Sequence, residues 1–304
     1  MLVRDNPLSF LHVTRSEADL PPGTNPYDAR VYEQAVANFE ELKRAAPLVL
    51  EPEATLYVYR LRMGQHEQTG VAGCFSLDEY DRGLIKKHEY TRKDKEDDRT
   101  RHIVELRAQT GLVFLTYRAQ PSVDRLVRSI AAGSPIIDFT AADGVAHTLW
   151  RANTADTAAL VQAFAAIPAQ YIADGHHRAA SAARARQALH RSEAARRFVA
   201  VTFPHNQVRI LDYNRVVRDL HGATPEAFLT ALGARARVSA AAAPSTSRGQ
   251  VAMFLAGRWH TLTLPSPPAG TPPADTLDVA VLERDVLGPI LGIGDIRTDK
   301  RIDF

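Results

Sequence analysis

Five consecutive residues combine a carboxylate, a glycine, two imidazoles and a guanidinium: Asp174-Gly175-His176-His177-Arg178. They follow the short apolar run 170–172 and lead into an alanine-rich stretch, residues 179–189, so the sequence predicts a strand-to-helix turn. The first backbone N–H groups of a helix lack helical partners and favour anions, phosphate above all. Histidine and arginine side chains at this positive end of the helix dipole are unfavourable unless an anion joins them. The motif therefore predicts a phosphate or carboxylate site.

Two other interpretations of this motif stay open. Asp174 and Gly175 are a common helix cap and tight turn, although a cap leaves the three following side chains without a purpose. Alternatively, Asp174 and one histidine bind a metal together with a distant ligand such as His88. His176 and His177 cannot easily share one ion, because consecutive helical residues point about 100° apart. There is no His-Glu-x-x-His pattern, nucleophile elbow, P-loop or dinucleotide glycine fingerprint.

A second polar segment, residues 86–102, contains no Ile, Leu, Val, Met or Phe. It follows an apolar strand end at Leu84-Ile85, where active-site side chains are often found. One interpretation is a solvated loop and helix start with mixed charges. The other is a functional segment, in which basic residues form a phosphate clamp and an acid binds a metal. The candidate residues of this segment are His88, Glu89, Lys93, Lys95, Arg99 and either Asp97 or Asp98.

Composition limits the class of protein. Of the 304 residues, 45% are hydrophobic, which is enough for a substantial core, and 37 basic residues nearly balance 35 acidic ones. This balance gives no indication of nucleic-acid or membrane-surface binding. Cys74 is the single cysteine, so the chain has no intrachain disulfide and no thiolate zinc cluster. With no secretory apolar core and no apolar run of about 18 residues, we expect a soluble cytoplasmic protein that binds neither nucleic acid nor a membrane. The oligomeric state is not predicted.

The pattern of apolar residues predicts an α+β fold with mixed sheets, hairpins and flanking helices, because strands and helices do not alternate regularly. Asp143-Gly144 lies between two apolar strands and predicts a hairpin. The proline-rich segment 265–273 predicts a loop or linker. We therefore divide the chain into an α+β domain (1–264), a linker (265–276) and a C-terminal helix and tail (277–304). Predicted helices cover 27–44, 123–132, 157–166, 179–189 and 277–287; predicted strands cover 55–63, 69–77, 112–117, 136–140, 145–150, 198–203, 208–217, 251–255 and 259–264.

Several motifs together resemble the family catalogued as domain of unknown function 1015. In chain order they are Asn6-Pro7-Leu8-Ser9-Phe10-Leu11, Leu56-Tyr57-Val58-Tyr59, His88-Glu89-Tyr90-Thr91, Asp98-Arg99, Gln109-Thr110-Gly111, Ala173-Asp174-Gly175-His176-His177-Arg178, Tyr213-Asn214-Arg215-Val216-Val217 and Gly292-Ile293-Gly294-Asp295. The family is similar to the ParB/sulfiredoxin-like superfamily, which implies a nucleotide-binding core. Free-serine kinases of that superfamily carry a similar Asp-Gly-His-His-Arg turn. Relative to the family pattern, we expect the chain to lack segments at both ends, including a Pro-Pro-Tyr-Asp motif.

The resemblance implies a nucleotide-dependent kinase that phosphorylates the hydroxyl of a small amino-acid-like substrate, with free L-serine as a candidate. ATP or ADP with Mg²⁺ is the implied cofactor. Glu89 is the candidate base, with His88 beside it, and Asp174 is the candidate metal ligand. The implied alternatives are a non-catalytic nucleotide-binding switch and a metal-dependent hydrolase. The candidate nucleotide- and phosphate-binding residues are Asp174, Gly175, His176, His177, Arg178, Lys93 and Arg99.

Overall fold

A computed structural model describes the chain except for residues 1, 2, 4, 47, 90, 245, 246 and 297. It divides into two compact units, Met1–Arg209 and Ile210–Phe304. This division differs from the predicted one, which assigned the strands before residue 264 to the first domain. Those strands pack with the C-terminal residues instead, because Leu262 lies in one buried cluster with Phe228, Val286 and Leu291.

The first unit contains most of the regular structure. Its helices are α1 (Leu11–Thr14), α2 (Ala29–Ala45), α3 (Leu77–Asp81), α4 (Lys93–Leu106), α5 (Pro121–Ala131), α6 (Thr154–Ala165) and α7 (His176–Ala188), with 3₁₀ turns at Ser16–Asp19 and Ala194–Arg196. Its strands are β1 (Tyr57–Met63), β2 (His66–Ser76), β3 (Ile85–Lys86), β4 (Val113–Tyr117), β5 (Ile137–Thr140), β6 (Ala146–Arg151), β7 (Gln170–Asp174) and β8 (Arg197–Pro204).

These strands form one mixed eight-stranded sheet in the described part of the chain, in the order β3-β7-β4-β8-β2-β1-β6-β5. The β3–β7 and β4–β8 pairs are parallel, and the other pairs are antiparallel. The predicted α+β fold with mixed sheet and hairpins is therefore confirmed. The parallel β3–β7 pair brings the chain after β3 to the same end of the sheet as the chain after β7.

Two buried clusters hold the first unit together. One joins strand residues such as Ile85, Leu115 and Ile172 to Ala179 and Ala182 of α7. These two alanines are almost fully buried, and their small side chains let α7 lie close to the sheet. The other cluster packs α5 and α6 on the far strands and contains Val58, Val71, Val123, Val127, Trp150 and Leu160.

The second unit has elements of its own, which are β9 (Val216–Val217), α8 (Pro225–Gly233), β10 (Arg237–Ala241), β11 (Gln250–Leu255), β12 (Arg258–Thr263), a 3₁₀ turn (Pro273–Thr276), α9 (Asp278–Leu282), a π-helical turn (Glu283–Leu287) and β13 (Ile302–Asp303). The strands form a three-stranded antiparallel sheet, β10-β12-β11, and a two-stranded pair, β9–β13. The core of the unit is the cluster that contains Phe228 and Leu232 of α8 together with Leu287.

One predicted strand is largely wrong. Residues 208–217 were expected to form a strand, but only Val216–Val217 pair, and their partner is the short β13. Ile210 is 95% exposed and Leu211 61% exposed, so the apolar residues that suggested a strand have no neighbouring strand to pack on. In the described residues, no helix combines the length and apolar character needed to span a membrane.

Candidate active site

The turn between β7 and α7 depends on Gly175. This residue has φ +93°, a left-handed conformation that glycine adopts without strain. A Cβ at this position would also lie 3.1 Å from both Cζ and Nε of Arg178. Gly175 is the N-cap of α7 and Asp174 is the last residue of β7, so the interpretation of Asp174 as the helix cap is wrong. Asp174 bonds to Arg178 instead.

The first hydrogen bond of α7 runs from the Ala179 N–H to the Gly175 carbonyl at 3.0 Å. The N–H groups of His176, His177 and Arg178 precede it, at the positive end of the helix dipole. No acidic residue lies in this first turn, and Gly175 has no side chain with which to cap it. This is the local arrangement that the sequence suggested for anion binding.

His176 is the centre of a buried polar contact. Its side chain is 3% exposed, and its ring packs edge-on against the ring of His88 with centroids 4.4 Å apart. Nδ1 of His176 lies 3.3 Å from Oε2 of Glu89, whose side chain is 57% exposed. The backbone N–H of His88 donates to Nε2 of His176 at 3.5 Å. The structure therefore brings His88 and Glu89, which follow β3, to the first residue of α7.

The environment of His176 favours its neutral form. Burial lowers the pKa of His176 and the adjacent His88 lowers it further, while Glu89 and Asp174 act in the opposite direction. Because Nε2 accepts the His88 N–H, the neutral ring carries its proton on Nδ1, the ring nitrogen that lies 3.3 Å from Oε2 of Glu89. A neutral imidazole thus lies beside a carboxylate that is largely exposed to solvent.

The other two side chains of the motif also contact other segments. The backbone N–H of Arg92 donates to Nε2 of His177 at 2.9 Å. Arg178 donates to the Leu112 carbonyl through Nη1 and to Asp174 through Nη2. Gly111 leaves room for this arginine, since a Cβ there would lie 3.2 Å from Cδ of Arg178. All three side chains therefore connect the start of α7 to neighbouring parts of the fold.

The basic residues that the sequence suggested as a phosphate clamp, Lys93, Lys95 and Arg99, lie on α4. Lys93 begins the helix, is 87% exposed and pairs with Asp97 at 2.7 Å. Lys95 donates to the Tyr27 hydroxyl at 3.3 Å, and Arg99 is exposed. Because a helix turns by about 100° per residue, Lys95 and Arg99 share one face of α4, whereas Lys93 points about 160° away from Lys95. A role for Lys93 or Arg99 in phosphate binding stays a prediction.

The acids of the same segment have structural partners. Asp98 accepts a hydrogen bond from the Tyr32 hydroxyl at 2.7 Å. Asp97 and Glu96 pair with Arg184 of α7, at 2.5 and 3.2 Å, and the buried Ser181 hydroxyl donates to the Glu96 carbonyl at 3.2 Å. These contacts fix α4 against α7. In the described residues, no group of three or more His, Cys, Asp or Glu side chains converges as metal ligands.

Sequence reasoning missed the partners that are backbone atoms. The Leu112 carbonyl and the Arg92 N–H carry no side-chain signal that a motif could reveal. Arg184 did have a signal, because it is a basic residue in an alanine-rich helix, but its partners lie more than 80 residues away. Tyr90, which belongs to the motif after β3, lies outside the described residues.

Comparison with known proteins places the chain in a family. The model of the family described as "Protein of unknown function (DUF1015)" matches residues 1–280, so the chain belongs to that family. The predicted family resemblance is thereby confirmed. No curated protein and no solved structure shows a significant match to the chain.

Proposed function

We propose that the protein is a nucleotide-dependent kinase that phosphorylates the hydroxyl of a small amino-acid-like substrate, with free L-serine as the first candidate. The observation that carries this proposal is the contact between Glu89 and His176. It holds an accessible carboxylate 3.3 Å from the first residue of a helix whose N-terminal N–H groups face outward from a glycine turn. A base for a hydroxyl and a cradle for phosphate thus adjoin each other.

Phosphoryl transfer needs positioning and charge neutralisation more than covalent help from the protein. Gly175 and the first N–H groups of α7 would hold phosphate oxygens, and Arg178 would add positive charge beside them. Glu89 would accept the proton of the substrate hydroxyl. His88, packed on His176 at 4.4 Å, would border the substrate position. Lys93 and Arg99 remain candidates for contact with the outer phosphates.

The chemistry of Asp174 is compatible with Mg²⁺. Its side chain is 69% exposed and is joined to Arg178 through Oδ2 alone. Magnesium is commonly held by one or two carboxylates together with nucleotide phosphates, so a single accessible aspartate at a phosphate cradle suffices. Asp174 would hold the ion, and the ion would supply charge neutralisation at the phosphates. The cytoplasmic location and the relation to the ParB/sulfiredoxin-like superfamily belong to the same proposal.

The class of ligand is tested by thermal unfolding with ATP, ADP, CTP and pyrophosphate, each with and without Mg²⁺. A ligand that binds only the folded protein stabilises it by RT ln(1 + L/Kd), where L is the free ligand concentration, so the unfolding temperature rises with ligand concentration. We expect a shift with one nucleotide that is lost in Arg178→Ala and kept in Arg191→Ala, an exposed arginine beyond α7. The absence of any nucleotide shift in the wild-type protein would contradict the proposal.

A non-catalytic nucleotide-binding switch is the second candidate, because the side chains of His176 and His177 bind other segments of the protein. A ligand at this turn could therefore act on the segment after β3. This candidate needs no base, so Glu89→Ala should leave nucleotide binding unchanged and transfer of the γ-phosphate to serine should be absent in the wild type. Detectable transfer by the wild type would exclude it.

A further inference from the structure

The connection between β3 and α4, residues 87–92, is described apart from Tyr90 and carries the candidate base. Two of its backbone N–H groups donate to histidine rings of α7. The His88 N–H donates to His176 at 3.5 Å, and the Arg92 N–H donates to His177 at 2.9 Å. In both cases the acceptor is Nε2, so both rings must be in the form that leaves Nε2 without a proton.

The helical arrangement explains why two consecutive histidines are needed. Side chains at adjacent helical positions diverge by about 100°, so they reach two separate points of a neighbouring chain. Here those points are the backbone N–H groups of His88 and Arg92, four residues apart. The Nδ1 atom of His176 additionally lies 3.3 Å from Glu89. One ring therefore accepts the backbone N–H that precedes Glu89 and lies beside the Glu89 carboxylate.

We propose that His176 and His177 are positioning residues that hold the β3–α4 connection against the start of α7. Their Nε2 atoms accept the backbone N–H groups of His88 and Arg92, and the ring of His176 lies beside the carboxylate of Glu89. That Glu89 is held for catalysis rests on the proposed kinase function, whereas the attachment itself does not. The two histidines of the motif then bind another segment of the protein. Phosphate would be bound by the backbone N–H groups of α7 and by Arg178.

The attachment is tested by hydrogen exchange of the backbone amides of residues 88–92 in the free protein. Loss of one hydrogen bond of ordinary net strength changes the opening equilibrium by about tenfold. We expect the Arg92 amide to exchange about tenfold faster in His177→Leu and at close to the wild-type rate in His177→Gln. Glutamine keeps an acceptor near the Nε2 position, whereas leucine keeps only the bulk. His190→Gln, at an exposed histidine beyond α7, is the control and should change nothing.

For the buried ring of His176, the same comparison is made between His176→Gln and His176→Leu. The measured quantity is the hydrogen-exchange rate of the His88 backbone amide. A smaller difference is expected there, because this hydrogen bond is the longer of the two. Equal exchange in the leucine and glutamine variants of His177, whether raised or unchanged, would overturn the proposal, since it would leave packing alone as the role of the ring. These measurements need no nucleotide, so their outcome is independent of whether kinase activity is found.

Discussion

The helices α6 and α7 each follow a strand of the first unit, and their N-termini are capped in different ways. Where β6 leads into α6, the Asn153 side chain accepts the Asp156 N–H at 2.8 Å, and Asp156 adds a negative charge to the first helical turn. Where β7 leads into α7, the cap is Gly175, and the first turn holds two histidines and an arginine.

The two turns differ in where their polar side chains find partners. At α6 the polar groups are satisfied within the turn itself, which is the ordinary arrangement. At α7 the side chains of His176 and His177 bind the segment after β3 and Arg178 binds the Leu112 carbonyl, and the first turn has no side-chain cap and no acid. The side chains of the α7 turn therefore contact neighbouring segments and do not cap the N–H groups of their own helix.

The largest effect on the rate of phosphoryl transfer is expected from Glu89, the carboxylate beside the α7 turn. Asp156, the carboxylate of the α6 turn, is its matched control. Glu89→Gln should lower the rate of phosphoryl transfer by about 10²–10⁴-fold, because a general base typically contributes that much. Asp156→Asn removes the acid of the α6 turn and should leave the rate unchanged. Both rates are measured by transfer of labelled γ-phosphate to L-serine. Equal rates in the two variants would contradict the role of Glu89 as the base.

The turn glycine should matter for both stability and binding. Gly175→Ala forces an L-residue into a left-handed conformation, which costs about 1–2 kcal/mol, and brings a Cβ close to Arg178. We expect the free energy of unfolding in urea to fall by about that amount and the nucleotide-induced thermal shift to disappear. Retention of the shift in a folded Gly175→Ala protein would argue against a phosphate cradle at this turn.

The cap of α6 should affect stability alone. Asn153→Ala removes a side-chain acceptor that is worth about 1 kcal/mol in comparable helices. Urea unfolding should report that loss, and the nucleotide-induced shift should persist in the variant. Loss of nucleotide binding in Asn153→Ala would mean that binding depends on the α6 turn as well as on the α7 turn.

The smallest expected effect is a pH dependence of stability. Because burial lowers the pKa of His176, the unfolded chain takes up a proton at a higher pH than the folded protein does. The free energy of unfolding should therefore fall as pH drops below the ordinary histidine value of 6.5 and be unaffected by this group above it. Urea titrations without nucleotide or metal should show a shallower fall in His176→Gln. The contribution of the buried His102, whose pKa burial also lowers, remains in both proteins. A fall of equal steepness would contradict the buried, neutral state of His176.

Local signals in the sequence predicted individual elements well. Asp143-Gly144 predicted the β5–β6 hairpin, and Gly144 has the positive φ that such a turn requires. The alanine-rich stretch predicted α7. By contrast, the short α8 and β10 were missed, and 208–217 was overpredicted, because apolar composition alone does not tell whether a partner strand exists.

The sequence also drew attention to both halves of the candidate site but not to their contacts. His88 and Glu89 follow one apolar strand and Asp174 to Arg178 follow another, which suggested chemistry at both places. Their meeting depends on the parallel pairing of β3 with β7, two strands more than 80 residues apart in the sequence. Periodicity identifies strands but not their neighbours, so the use of His176 and His177 as hydrogen-bond acceptors was not predictable.

The central claim is that the start of α7 binds the phosphates of a nucleotide and the start of α6 does not. It is tested most directly by following backbone amide resonances by NMR while the protein is titrated with ATP and Mg²⁺. We expect saturable shifts of the His176, His177 and Arg178 amides, with the amides of Thr154 to Asp156 unchanged. Unmoved α7 amides at nucleotide concentrations that shift other residues would contradict it.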